Sequence, residues 1–169
     1  QIYMWARKTL HYSQMQTFNL RATWIDGGCV EGPTFFDNYL EGDKRLEKTW
    51  RMGQQYALDG TPLWTNGWCG DPQMLLSYTK DVTNISGDAT MYQGYRFGKY
   101  EIKIGATGTP DNDYVIMRYA EVLMMKAECI LRTGGSSQEA AELVNEVRRR
   151  NFDTTNELTG SELEATTIC

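Results

Sequence analysis

Apolar positions along the chain follow two different patterns. After residue 113, Ile116, Tyr119, Ala120, Leu123, Ala127, Ile130 and Leu131 recur at intervals of three and four, the spacing that lines one face of an α-helix. Arg118, Glu121, Lys126, Glu128 and Arg132 fall between them and include pairs at i,i+3 and i,i+4, as inter-residue salt bridges on a helix require. The pattern predicts a helix of about five turns. Asp111 or Asp113 is expected to cap its start, and Gly134-Gly135 to stop it by allowing positive φ. Ser136-Ser137-Gln138-Glu139 reads as a capping box for a second helix. That helix should bury Ala140, Leu143, Val144 and Val147 and carry Arg148, Arg149 and Arg150, solvated, near its C-terminal end. The resulting antiparallel hairpin has roughly the 34 residues of a tetratricopeptide repeat. One such pair cannot bury its apolar faces alone, so further helices are expected outside this chain.

The front of the chain is different. Asp26-Gly27-Gly28, Gly32-Pro33, Glu41-Gly42-Asp43, Asp59-Gly60-Thr61-Pro62, Asn66-Gly67, Gly70-Asp71-Pro72 and Ser86-Gly87-Asp88 favour turns, which exclude long regular elements between Trp24 and Asp88. Short helices are expected around Pro33 to Tyr39 and Gln1 to Gln14. From Gly98 to Ile104 the residues alternate, Tyr100, Ile102 and Ile104 against Lys99, Glu101 and Lys103, which predicts a half-buried strand. Gly105 to Pro110 ends it and lacks the lysine and hydroxyl of a phosphate loop. Seventeen of the twenty aromatic residues lie at or before Tyr100. The reading is therefore one domain in part: an aromatic, loop-rich region over 1–110, the helical hairpin over 111–150, and the start of a truncated C-terminal region over 151–169.

Composition narrows the chemistry. With 41% hydrophobic and 23% charged residues the chain is expected to fold. The net charge of −5, with no basic cluster beyond Arg148 to Arg150, argues against nucleic acid as a partner. No run approaches the roughly 18 to 20 apolar residues of a membrane span. Gln1 to Arg7 is not a secretory signal and Leu163 to Cys169 has no visible stop, so a segment of a longer protein is expected. Cys29 and Cys69 sit in loops that a disulfide is able to join, whereas Cys129 falls on an apolar helical face and reads as a small hydrophobe. One histidine and no CxxC pair leave no ligand set for zinc. Asp111-Asn112-Asp113 falls short of a calcium loop, and His11 has no partners for a catalytic triad. No metal or cofactor is expected.

Asp113-Tyr114-Val115-Ile116-Met117-Arg118-Tyr119-Ala120-Glu121-Val122-Leu123-Met124-Met125-Lys126-Ala127-Glu128, then Gly134, then Glu139-Ala140 and Asn145-Glu146-Val147-Arg148-Arg149-Arg150, closely resemble the late repeat helices of the SusD/RagB family. Gly42-Asp43-Lys44-Arg45-Leu46 and Gly98-Lys99-Tyr100 resemble the segments that precede those helices in the family, so the resemblance covers roughly residues 25 to 150. It implies a mainly α fold, a tetratricopeptide-type scaffold with a loop-rich excursion and a short β element. It also implies an outer-membrane lipoprotein of Bacteroidetes that holds a glycan or other nutrient at the cell surface, without catalysis, and delivers it to a SusC-like TonB-dependent transporter. The N-terminal lipid anchor, the early repeats and a later Trp-containing segment of the family are absent from this chain.

Sugar rings present flat C–H faces and a hydroxyl rim, so a glycan site needs exposed aromatic platforms beside groups able to make paired hydrogen bonds. Trp64-Thr65-Asn66-Gly67-Trp68, Trp24-Ile25-Asp26 and Trp50-Arg51 offer these. The expected ligand residues are Trp64, Trp68, Trp24, Asp26, Trp50 and Asn66, with Trp64 or Trp68 as the principal platform. The competing reading packs these indoles beneath their own loops. Two other functions are weighed against glycan binding: a helical-repeat scaffold for other proteins, and a glycoside hydrolase, which needs two carboxylates about 5 to 10 Å apart.

Overall fold

The computed structural model describes residues 9–20, 32–65, 72–83, 92–106, 112–152 and 156–166. Contacts divide the chain into two units, one formed by Gln1–Leu40 and Arg45–Tyr114, the other by Glu41–Lys44 and Val115–Cys169. Helices make up most of the regular structure, as a mainly α fold requires. No helix among the described residues is long and apolar enough to cross a membrane.

The turn-rich front forms only short elements. A 3-10 turn, Tyr12–Gln14, runs into α1 (Met15–Phe18), and a second 3-10 helix spans Pro33–Asn38, where a helix was expected. Next come α2 (Lys44–Thr49) and four two-residue strands, β1 (Trp50–Arg51), β2 (Gly53–Gln54), β3 (Ser77–Tyr78) and β4 (Arg96–Phe97). β1 pairs antiparallel with β4, Trp50 opposite Phe97, and β2 with β3, Gly53 opposite Tyr78. The strand expected over 98–104 is absent. β4 ends at Phe97, the Gly98 N–H turns to the Thr49 carbonyl at 2.6 Å, and the alternating residues beyond it have no neighbouring strand. Tyr100 and Ile102 are half-buried, but Ile104 is exposed.

Strands this short gain little from their own ladders, and side chains supply the rest. Leu63, Leu76 and Tyr78 form a buried cluster against Ala57, Tyr92 and Tyr95. A second aromatic group packs edge to face: Phe36 lies 5.0 Å from Trp50 and 4.8 Å from Tyr95, centroid to centroid. Between the elements runs a buried polar chain. The Tyr78 hydroxyl accepts the His11 N–H at 2.8 Å and donates to Gln14 Oε1 at 2.5 Å. Gln14 Nε2 donates to Gln55 Oε1 at 2.8 Å, and Gln55 Nε2 donates in turn to the carbonyls of Met52 and Gly53. His11 is fully buried, and its Nδ1 accepts the Ser13 N–H at 3.1 Å.

In the other unit, α3 (Tyr119–Arg132) and α4 (Ser137–Arg148) form the expected hairpin, joined at Gly134, whose φ is +74°. Gly135 has a separate reason to be bare: a Cβ there would meet Ile130 Cγ2 at 2.9 Å. The Ser136 hydroxyl caps α4 by accepting the Glu139 N–H at 3.3 Å. α3 starts later than expected and spans about four turns. Its N-terminal cap is not Asp113. The Glu121 carboxylate instead accepts the Arg118 N–H and Nε–H, each at 3.3 Å, and residues 112–118 remain non-helical. The buried face is correspondingly narrower. Leu123 and Ala127 are buried, but Ile116 is 88% and Tyr119 68% exposed. Cys129, expected to pack as a hydrophobe, is an exposed free thiol. The expected Glu128–Arg132 pair is present at 2.6 Å.

Arg148 and Arg149 are not simply solvated. Arg148 donates from Nε to the Asn156 carbonyl and stacks over Phe152, while Arg149 bridges Glu142 and Glu157. These contacts help seat the short α5 (Gly160–Thr166) against α4. Buried Asn145 holds the connection: its amide donates to the Leu158 carbonyl and its Oδ1 accepts the Leu158 N–H, both at 2.8 Å. Gly160 allows close approach, since a Cβ would lie 2.7 Å from Gln138 N.

Two expectations follow. Asn145→Ala strands both backbone groups of Leu158 and should cost about 1–3 kcal/mol; urea unfolding should show a lower midpoint at constant m, and an unchanged midpoint would count against the clamp. Burial raises the Tyr78 hydroxyl pKa from 10.0 to about 12, partly offset by nearby Arg96. The folded state then holds its proton where the unfolded state has lost it, so this stability is complete below pH 10 and drains away as pH rises toward 12. Tyr78→Phe should destabilise the chain at neutral pH and remove that alkaline decline, which equilibrium unfolding between pH 7 and about 12 would reveal.

Candidate functional site

Trp64 is held outward by its neighbours. Leu63 and Thr65 are both buried, so strand alternation turns the residue between them to the opposite face. Leu63 enters the apolar cluster, whereas the Thr65 hydroxyl contacts the carbonyls of Pro72 and Met74 and accepts the Met74 N–H. The Trp64 backbone is fixed as well, since its carbonyl accepts the Ser13 hydroxyl at 2.5 Å. The indole itself remains 48% exposed.

The pairing register gives this indole companions. Trp64 sits opposite Leu75, and Tyr56 opposite Pro62, both in antiparallel bridges. Directly opposed residues project to the same side, as do residues two apart on one strand. Tyr56, Pro62, Trp64 and Leu75 therefore share one face, and all four are exposed. The hairpin that pairs Tyr56 with Pro62 turns at Asp59-Gly60. Gly60 has φ +85°, and the Asp59 carboxylate accepts the Thr61 N–H at 2.9 Å. That hydrogen bond keeps the Asp59 carboxyl below its ordinary pKa and hence ionised. An open apolar face with an ionised acceptor at the tip of the same hairpin suits the stacking and hydrogen bonding of a sugar ring.

The other expected ligand residues divide. Trp50 is 9% exposed, its indole N–H donates to the Tyr39 hydroxyl at 3.0 Å, and Phe35, Phe36 and Phe97 surround it. It builds the interior rather than an open platform. Trp24, Asp26, Asn66 and Trp68 lie outside the described residues, as do Cys29, Cys69 and Asp111. Tyr56, Pro62 and Leu75 were not singled out by the sequence. The signal for the first two is the Asp59-Gly60 turn, since a hairpin centred there brings Tyr56 and Pro62 together. No group of three or more His, Cys, Asp or Glu side chains among the described residues is arranged to hold a metal.

Comparison with known proteins matches neither a curated protein nor a solved structure. A family model, described as the SusD family, matches residues 9–167, which include both the hairpin bearing Trp64 and the three C-terminal helices. The chain belongs to the SusD family.

Proposed function

We propose that this chain binds glycan at the cell surface, through the face built by Tyr56, Pro62, Trp64 and Leu75, and passes it to a SusC-like TonB-dependent transporter without chemical change. Family membership supports the general role, since SusD-family proteins are associated with glycan binding and nutrient uptake and are generally non-catalytic. The single observation that carries the site is Trp64, a half-exposed indole whose backbone is pinned by Ser13. A rigid indole stacks on a sugar with little loss of conformational freedom, which favours affinity. Trp68, Trp24, Asp26 and Asn66 belong to the same proposal as additional ligand groups, whereas Trp50 does not.

Family members are typically lipoproteins of the outer-membrane surface, and the full-length protein is proposed to be anchored there by an N-terminal lipid. The exposed row of Ile116, Tyr119, Val122 and Met125 along α3 is compatible with a protein partner, but the aromatic face is the stronger feature.

Glycan-array screening followed by calorimetry tests the site. Trp64→Ala should weaken binding of the selected oligosaccharide at least tenfold, about 1.4 kcal/mol, with the thermal midpoint unchanged and the oligosaccharide recovered intact. Equal affinity in the variant would reject this face, and cleavage of the glycan would reject the non-catalytic reading. For the transporter, mild-detergent purification of the full-length protein from outer membranes should recover a TonB-dependent transporter in stoichiometric amount. Recovery of the protein by itself would contradict the delivery role.

A further inference from the structure

A groove of about 620 Å³ opens beside α1, lined by Thr17, Phe18, Arg51 and the segment 98–104. That volume lies within the range of small-ligand sites. Both ends of the segment are tied down: the Gly98 N–H donates to the Thr49 carbonyl, and the Gly105 N–H donates to the Phe18 carbonyl at 2.7 Å. The alternation that finds no strand partner here has another consequence. Lys99, Glu101 and Lys103 join Ile102 and Ile104 along the groove wall.

Arg51 is the unusual member. Its guanidinium lies 4.9 Å from the centre of the Phe18 ring, and its stem crosses Gly98, where a Cβ would stand 3.1 Å from Arg51 Cγ. Both contacts fix the side chain. Its Nε is buried without a hydrogen-bond partner, and no carboxylate among the described residues pairs with it. Buried charges are ordinarily paired, because an unsatisfied one bears the full cost of leaving water. An anion entering the groove would supply the missing partner. Arg51, Lys99 and Lys103 outweigh Glu101, so the lining favours negative charge. The planar guanidinium matches a carboxylate, while Glu101 disfavours a doubly charged group by like-charge repulsion.

We infer that the groove receives the carboxylate of a uronic acid residue, so the glycan bound by this chain is acidic. The inference rests on the glycan-binding reading above. Thr17 connects the two places: it lines the groove, and its hydroxyl donates to the Tyr56 carbonyl at 2.7 Å. Neutral stacking at Trp64 and carboxylate capture at Arg51 are thus organised by the same short helix.

The test follows the Arg51 Nε–Hε resonance in the ¹⁵N-labelled full chain, assigned with Arg51→Lys. Glucuronate, its neutral methyl ester, glucose and acetate are titrated at matched ionic strength. Glucuronate should shift the resonance saturably, with at least fivefold weaker responses to the other three. Lys99→Gln, at an exposed position, should weaken glucuronate binding about threefold while leaving the rest of the spectrum in place. A resonance unmoved by glucuronate, or moved equally by ester or glucose, overturns the proposal. Equal affinity for acetate overturns the assignment to a uronate. The two readings separate cleanly: neutral oligosaccharide binding that depends on Trp64, with Arg51 silent, defeats only the groove. A glucuronate response at Arg51, with glycan affinity indifferent to Trp64→Ala, supports the groove and defeats only the platform.

Discussion

The Tyr78 hydroxyl is the contact on which the aromatic unit depends. A buried hydroxyl is costly when unsatisfied. This one both accepts and donates, to the His11 backbone and the Gln14 side chain. The bonds span more than sixty positions of sequence and join the 3-10 turn at Tyr12–Gln14 to β3. Through Gln14 the chain of bonds continues to Gln55 and the backbone beside β2. Two-residue strands have few ladder bonds of their own, so these side chains fix the register that a longer sheet would set by itself.

That constraint reaches the surface by two routes. Ser13, within the tethered turn, holds the Trp64 carbonyl, while Thr17, on the following α1, holds the Tyr56 carbonyl. Both aromatic residues of the platform therefore receive their backbone positions from the same stretch of chain. Phe18, next along α1, supports Arg51 in the groove. A binding face assembled from turns becomes firm because a buried polar chain lies beneath it. Rigid aromatic groups on a fixed backbone bind by presentation, and the geometry asks nothing of catalysis.

What the sequence revealed depended on how local the determining contacts were. The α3–α4 hairpin was legible because its determinants lie close together: the spacing of Leu123 and Ala127, positive φ at Gly134, and the Ser136 hydroxyl three residues from its acceptor bond. α5 carried an equally local signal that was missed. Thr159 and Glu162 form a reciprocal cap that keeps the Glu162 carboxyl below its ordinary pKa. The outward turn of Trp64 was readable from its neighbours, but the burial of Trp50 was not, because Phe36 and Phe97 arrive from far along the chain. For the same reason the alternation after Gly98 misled. A period of two describes one segment, whereas a strand also needs a partner, and β1 has already paired with β4.

Membership of the SusD family accounts for the helical unit and the general role, while the ligand face rests on this chain's own register. The most direct measurement is a crystal structure of the chain with the tightest-binding oligosaccharide. The account predicts a sugar ring stacked on the Trp64 indole, flanked by Tyr56, with Tyr78 still bonded to Gln14 and His11. Sugar density on another surface, with Trp64 facing solvent in the saturated complex, would contradict it.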